Sequence, residues 1–370
     1  MRTTTKLGAA VLSAALLLAT SVQAHAADSR ATDIHAADSR ATGSDPGASN
    51  HFDLQAHRGG IGLTVESTLA SFAKGIETGV STLELDLQIT KDGREVITHD
   101  RRISGKKCQD TAPVTSDDPQ FPYVGKYIKD LTFAQVRSLD CGSLTQPQFP
   151  GQVASPGARM PTLAEVFALA DSYRASQVRF NIETKVEAGA PDETAPREQF
   201  VEVALAEINK AHMQSRVSVQ SFDWGSLRLV RERQPQIPTV ALTNKDFLQV
   251  GQPGSSPWLG GIDADDFGGD LVAAAASLGV NAISPVHGMP QNGAVTDQDY
   301  VPYVTADMVS RAHAAGMQVI PWTVDDKPTM RALIADGVDG LITDYPDRLR
   351  DVMDDSGMKL PRSFELTPGR

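Results

Sequence analysis

Basic residues are in short supply in this chain. Lys and Arg number 34 against 46 Asp and Glu, so the formal net charge is −12 at pH 7. A chain this acidic repels polyanions, which argues against nucleic acid and anionic lipid surfaces as partners. An anionic small molecule could still bind, but only through a local cluster of cations or a metal. No Gly-x-Gly-x-x-Gly element follows a strand-like run, which argues against a dinucleotide fold. No run is long and apolar enough for a stable membrane anchor. The apolar stretch 7–22 follows Arg2 and Lys6 and precedes the small-x-small triplet Ala24-His25-Ala26. That layout predicts a cleaved export signal over 1–26, and hence a periplasmic or extracellular protein. Cysteine is scarce too, with Cys108 and Cys141 the only two. In an oxidising compartment the pair is expected to form one disulfide.

What is present is a globular composition, 41% hydrophobic and 22% charged. Overlapping the end of the leader are two copies of His-Ala-Ala-Asp-Ser-Arg-Ala-Thr, starting at His25 and His35. They lack apolar periodicity, so 27–50 reads as a flexible linker. From residue 51 the chain alternates. Strand-type runs fall at 52–57, 82–88, 178–183, 217–221, 238–242, 280–284, 318–324 and 340–343. Helix-type runs include 67–78, 162–173, 197–211, 224–233, 271–278, 306–315 and 328–335. Gly316 and Gly337 sit where two of the helices should stop. Eight alternating units predict an α/β fold: a closed, TIM-type (β/α)8 barrel over 51–354. Residues 101–160 break the alternation, are rich in Pro, Gly, Asp and Ser, and hold both cysteines. They read as a small insertion subdomain after the second strand unit. A second long loop, 244–270, carries Trp258. The tail 355–370 is charged and is expected to fray.

The chemistry-bearing residues cluster at predicted strand ends. Glu84 and Asp86 lie two apart on one strand and so share a face. Acids facing a barrel interior are costly unless they bind a cation. With Glu183 at another strand end, the all-oxygen set suits one hard divalent ion, Ca²⁺ or Mg²⁺. Pairing with buried Arg or Lys is the plainer alternative. His57 and His99 are read at the ends of two neighbouring strands, as an acid–base pair. Arg58 and Lys185 add cations suited to a phosphodiester. Gln220, Phe222 and Trp322 are expected at the pocket wall, Trp322 chiefly in a packing role.

Together His57-Arg58-Gly59, Glu66, Glu84-Leu85-Asp86, His99-Asp100, Pro161-Thr162-Leu163, Glu183-Thr184-Lys185, Gln220-Ser221-Phe222, Trp322-Thr323-Val324 and Thr343-Asp344-Tyr345-Pro346 form an ordered set. The set resembles the glycerophosphodiester phosphodiesterase family from about Phe52 to Val352. Val65-Glu66-Ser67-Thr68 stands where the family often has Pro-Glu-Asn-Thr, a local change at a helix start. The resemblance implies a β/α barrel that hydrolyses glycerophosphodiesters to glycerol 3-phosphate and an alcohol. It implies that Glu84, Asp86 and Glu183 hold the divalent ion and that His57 and His99 exchange protons. Arg58 and Lys185 would meet the phosphate, and Glu66 would orient Arg58 or lie close to the ion. Two other readings stay open on the same barrel. One is a lipid-headgroup phosphodiesterase of the sphingomyelinase D or lysophospholipase D type, and the other is a non-catalytic binding barrel.

Overall fold

The computed structural model describes residues 51–366. The expected leader 1–26 and the linker 27–50 lie outside the described residues. In chain order the elements are β1 (Asp53–Ala56), α1 (Leu69–Thr78), β2 (Thr82–Ile89), β3 (Glu95–Ile97), α2 (Phe133–Val136), α3 (Leu163–Ser172), β4 (Arg179–Thr184), α4 (Arg197–Lys210), β5 (Val217–Ser221) and α5 (Trp224–Arg233). There follow β6 (Thr239–Thr243), α6 (Leu271–Leu278), β7 (Ala282–Pro285), β8 (Gly288–Met289), β9 (Val301–Pro302), α7 (Ala306–Ala314), β10 (Gln318–Val319), α8 (Lys327–Ala335), β11 (Gly340–Thr343) and α9 (Pro346–Asp355).

Eight parallel strands line up as β10-β7-β6-β5-β4-β2-β1-β11. Asp339 N–H donates to the Val319 carbonyl at 2.9 Å, and Ile342 N–H to that of Pro321 at 3.0 Å. These bonds draw β11 towards the segment after β10, so the barrel is nearly closed. The strand expected over 318–324 is therefore corrected to two residues of regular ladder. Pro321 has no N–H to give, and the chain just beyond it makes one isolated bridge, Val286 to Trp322.

Strand alternation sorts the side chains. On β2 and β4, Leu83, Leu85, Leu87, Phe180 and Ile182 pack with Phe72, Ile76, Leu163, Val166 and Phe200 from the helices in one buried cluster. Each such side chain contributes about 1.5–3 kcal/mol on full burial. The intervening positions carry Glu84, Asp86, Asn181 and Glu183, which face the barrel interior. Asn181 Nδ2 donates to Gln55 Oε1 at 3.0 Å and to Gln220 Oε1 at 2.7 Å, tying three strands together there. Helix starts are fixed by side chains. Thr68 and Thr162 each cap a helix and form a reciprocal pair with Ser71 and Glu165. The helices expected from 67 and 162 thus begin at Leu69 and Leu163.

The insertion has a small core of its own, including Ile103, Tyr123, Ile128, Leu131, Val136 and Leu139. Cys108 and Cys141 are disulfide-bonded within it, 33 residues apart. Val153 returns the segment to the barrel, pairing with Thr64. Beyond α9 the described tail does not fray as expected. Phe364 is buried against the main core, and its N–H donates to the Ile76 carbonyl at 3.2 Å. No helix among the described residues is long and apolar enough to cross a membrane.

Candidate active site

The chain turns sharply just after β1. Arg58 has φ 52° and Gly59 has φ 85°, both left-handed. A Cβ at position 59 would lie 2.7 Å from the Ser71 backbone and side chain, so only glycine fits against α1. The turn sets His57 and Arg58 at the mouth of the barrel. The Arg58 N–H donates to Glu84 Oε2 at 2.9 Å, and Gln220 Nε2 donates to Glu84 Oε1 at 2.9 Å. Both oxygens of that carboxylate are therefore fixed.

Glu84, Asp86 and Glu183 offer carboxylate oxygens that all lie within 4.8 Å of one another. All three side chains are buried. Asp86 is the telling one, because neither of its oxygens has a hydrogen-bond partner. Its nearest cations are Arg58 Nε at 3.2 Å and Lys185 Nζ at 3.7 Å. A buried carboxylate without a donor is costly, and three acids this close repel one another. Burial pushes the Glu84 carboxyl well up, and the Asp86 and Glu183 charges add to that. Burial likewise raises Glu183 to about 7, with Lys185 opposing and Asp86 assisting. For Asp86 burial is outweighed by Lys185, His99, Arg58 and His57, which hold it at about 2. An oxygen-only set with orphaned oxygens fits a hard divalent cation.

His57 Nδ1 lies 2.5 Å from Asp344 Oδ1, at the end of β11. With its proton on Nδ1, Nε2 is left for the cavity. His99 does not end a barrel strand, contrary to expectation. It follows β3, which runs antiparallel to β2 and folds back so that Thr98 N–H donates to the Asp86 carbonyl at 2.9 Å. The hairpin still delivers His99 to the same mouth. His99 Nδ1 contacts Asp100 Oδ1 at 2.8 Å. Burial, then the Arg58 and Lys185 cations, hold the His99 imidazole well below its ordinary range.

Glu66 reaches Arg58 Nη1 at 2.7 Å and Lys107 Nζ at 3.0 Å, and accepts from Gln146 Nε2 at 2.9 Å. Lys107 also meets Asp100 at 3.1 Å. One chain of contacts thus links the insertion to both His99 and Arg58. Lys185 Nζ is 2.8 Å from Glu183 Oε1. A cavity of about 990 Å³ gathers His57, Arg58, Glu84, His99, Glu183, Lys185, Gln220, Phe222 and Trp322. Asp86 and Glu66 lie buried behind that lining, and the disulfide lies away from it. Asp344, Asp100, Lys107 and Gln146 were not among the residues expected at the site. The first two sit inside the quoted motifs Thr343-Asp344 and His99-Asp100, so a signal existed. Nothing in the sequence marked Lys107 or Gln146.

The nearly closed barrel defines the class as a TIM-type β/α-barrel protein, with its polar cluster where the loops after the strands converge. The sequence profile of the glycerophosphoryl diester phosphodiesterase family matches residues 57–348. A glycerophosphodiester phosphodiesterase of Caldanaerobacter subterraneus is 28% identical over 294 residues, spanning 80% of this chain and 94% of that one. A crystal structure from Silicibacter pomeroyi, provisionally assigned as a glycerophosphoryl diester phosphodiesterase, superposes with a TM-score of 0.67 at 28% identity. It covers 83% of this chain and 95% of its own. An Oleispira antarctica phosphodiesterase, solved with the product sn-glycerol-3-phosphate, shares the fold at a TM-score of 0.58 and 19% identity, covering 81% and 96%. The chain belongs to the glycerophosphoryl diester phosphodiesterase family. It is an enzyme of that family, a phosphoric diester hydrolase.

Proposed function

We propose that the chain hydrolyses glycerophosphodiesters to glycerol 3-phosphate and an alcohol, with one divalent ion and a histidine pair. Glu84, Asp86 and Glu183 would hold the ion, Ca²⁺ or Mg²⁺. The observation that carries this is the buried Asp86 carboxylate, which has no hydrogen-bond donor and clusters with two further acids. When bound, the ion supplies positive charge to a phosphate oxygen and offsets the charge that builds up in the transition state. Lys185 and Arg58 face the same cavity and provide the remaining countercharge.

His99 is the base. Its depressed pKa keeps it neutral at pH 7, so it can take the proton from the attacking hydroxyl, either water or a neighbouring glycerol hydroxyl. His57 is the acid. The Asp344 carboxylate, 2.5 Å from Nδ1, orients the ring so that Nε2 can give a proton to the departing alkoxide as the P–O bond breaks. If the glycerol hydroxyl attacks, a cyclic phosphate forms and water opens it in a second step.

The test separates the roles. Glu183→Gln and Asp86→Asn should lose both turnover and the rise in thermal midpoint on adding the ion. His57→Ala and His99→Ala should lose turnover and keep that rise. A diester with a good leaving group, such as 4-nitrophenol, should restore His57→Ala far more than His99→Ala. Equal rescue of both would reverse or refute the assignment of acid and base.

A further inference from the structure

One wall of the cavity is aromatic, and the hydrolytic chemistry does not account for it. Phe222 follows β5, and its ring centroid lies 5.9 Å from Lys185 Nζ. Trp322 meets that ring edge-on at 5.4 Å, and Phe247 does so at 5.2 Å. Trp258 stacks on Phe247 at 4.3 Å, with planes 3° apart. All four rings line the cavity, and none is fully buried. Rings serving only as core would be sealed. Here a row of ring surface runs outward from the cation proposed for the phosphate.

The surroundings narrow what could cover it. Phe247 and Trp258 both come from the loop 244–270, outside the motifs that carry the resemblance. Beside them lies Gly189, where a Cβ would stand 3.2 Å from Glu187 Oε1 and 3.5 Å from the Trp258 ring. The missing side chain lets a carboxylate and an indole approach one another. Glu187 is paired with Arg101 at 2.8 Å, and Glu193 pairs with the same guanidinium, so that cation is not left free for an anionic group. Aromatic faces attract cations, most strongly when water is excluded. A quaternary ammonium cannot donate hydrogen bonds, so the ring surfaces, which offer it no acceptor, cost it little, and the Glu187 carboxylate beside them adds negative charge. The ammonium's methyl groups also gain from apolar contact. A primary ammonium would forfeit against those rings hydration that the adjoining Glu187 carboxylate, already paired with Arg101, replaces only in part.

We propose that this wall is the alcohol subsite and that it selects diesters whose alcohol bears a quaternary ammonium group. The inference rests on the diesterase reading above, and adds Phe247 and Trp258 as specificity-determining residues.

The test compares kcat/KM for glycerophosphocholine and glycerophosphoethanolamine in the unaltered chain, Phe247→Ala, Trp258→Ala and Trp258→Phe. The unaltered chain should favour the choline diester by roughly tenfold or more, corresponding to the better cation–π sites. Either alanine variant should bring the ratio near unity, largely through KM for the choline diester. Trp258→Phe should keep much of the preference. The ratio is internal to each variant, so a partly folded preparation does not distort it. Equal cleavage of both diesters by the unaltered chain overturns the subsite but leaves the diesterase reading standing. A preference that survives both alanine variants also overturns it. Cleavage of neither diester overturns the diesterase reading itself.

Discussion

Replacing Asp344 by Asn removes one charge and almost no volume, and it should cripple the enzyme through His57. The two side chains meet at 2.5 Å, with Asp344 only 8% exposed. Water therefore cannot readily take over from the carboxylate. A hydrogen bond to a charged group is worth about 1.5–3 kcal/mol. Losing it from the proton-donating arrangement would cost roughly 10- to 100-fold in rate, since about 1.4 kcal/mol is a factor of ten. The asparagine amide can also donate to Nδ1, which favours the wrong tautomer. Whole general-acid contributions run to about 10²–10⁴. The expected fall in kcat near neutral pH is therefore roughly 10²-fold. The assay is kcat across the pH range with a natural glycerophosphodiester and with a nitrophenyl diester, alongside the thermal midpoint. The nitrophenyl substrate should be affected least. A variant within about threefold of the unaltered chain on the natural diester would show that Asp344 does not support proton donation.

Other perturbations have equally definite outcomes. Glu183 is raised to about 7 and Glu84 is raised too, so protons compete with the ion. Calorimetry should show ion affinity weakening from pH 8 to pH 6, with protons released on binding; a pH-independent affinity would contradict this. Burial would raise the Glu66 carboxyl, but Arg58 and Lys107 hold it far below its free value of 4.5. Its stabilisation is present above that free value and is lost as pH falls below it. Glu66→Gln should therefore unfold more easily in urea at pH 7 and lose less stability between pH 5 and 3; equal slopes would refute the linkage. Replacing Cys108 and Cys141 by Ser reopens a span of 33 residues. Loop entropy predicts a loss of about 3–4 kcal/mol in the insertion. Hydrogen exchange should show that loss in 101–160 first, and uniform protection would contradict it.

The barrel was legible because β2 and β4 are long runs whose apolar and polar positions alternate with the pleat. Glu84, Asp86 and Glu183 were legible for the same reason, since a strand places residues two apart on one face. What escaped was made by contacts distant in sequence. Asp344 and His57 are 287 residues apart and meet only because β11 lies beside β1. The hairpin carrying His99 has a three-residue strand, too short for a periodic signal. The early end of β10 turns on Pro321, whose apolar surroundings still look like a strand. The docking of Phe364 depends on a gap beside α1 that no local pattern announces. Phe247 and Trp258 sit in a loop, where periodicity says nothing about which rings will stack.

The most direct test of the account is release of glycerol 3-phosphate from glycerophosphocholine by the purified protein after treatment with a chelator. Turnover should vanish with the chelator, return on adding Ca²⁺ or Mg²⁺, and fail to return in Asp86→Asn. Undiminished turnover after rigorous chelation would contradict the proposed metal centre. Full restoration of Asp86→Asn would contradict the place given to Asp86 in it.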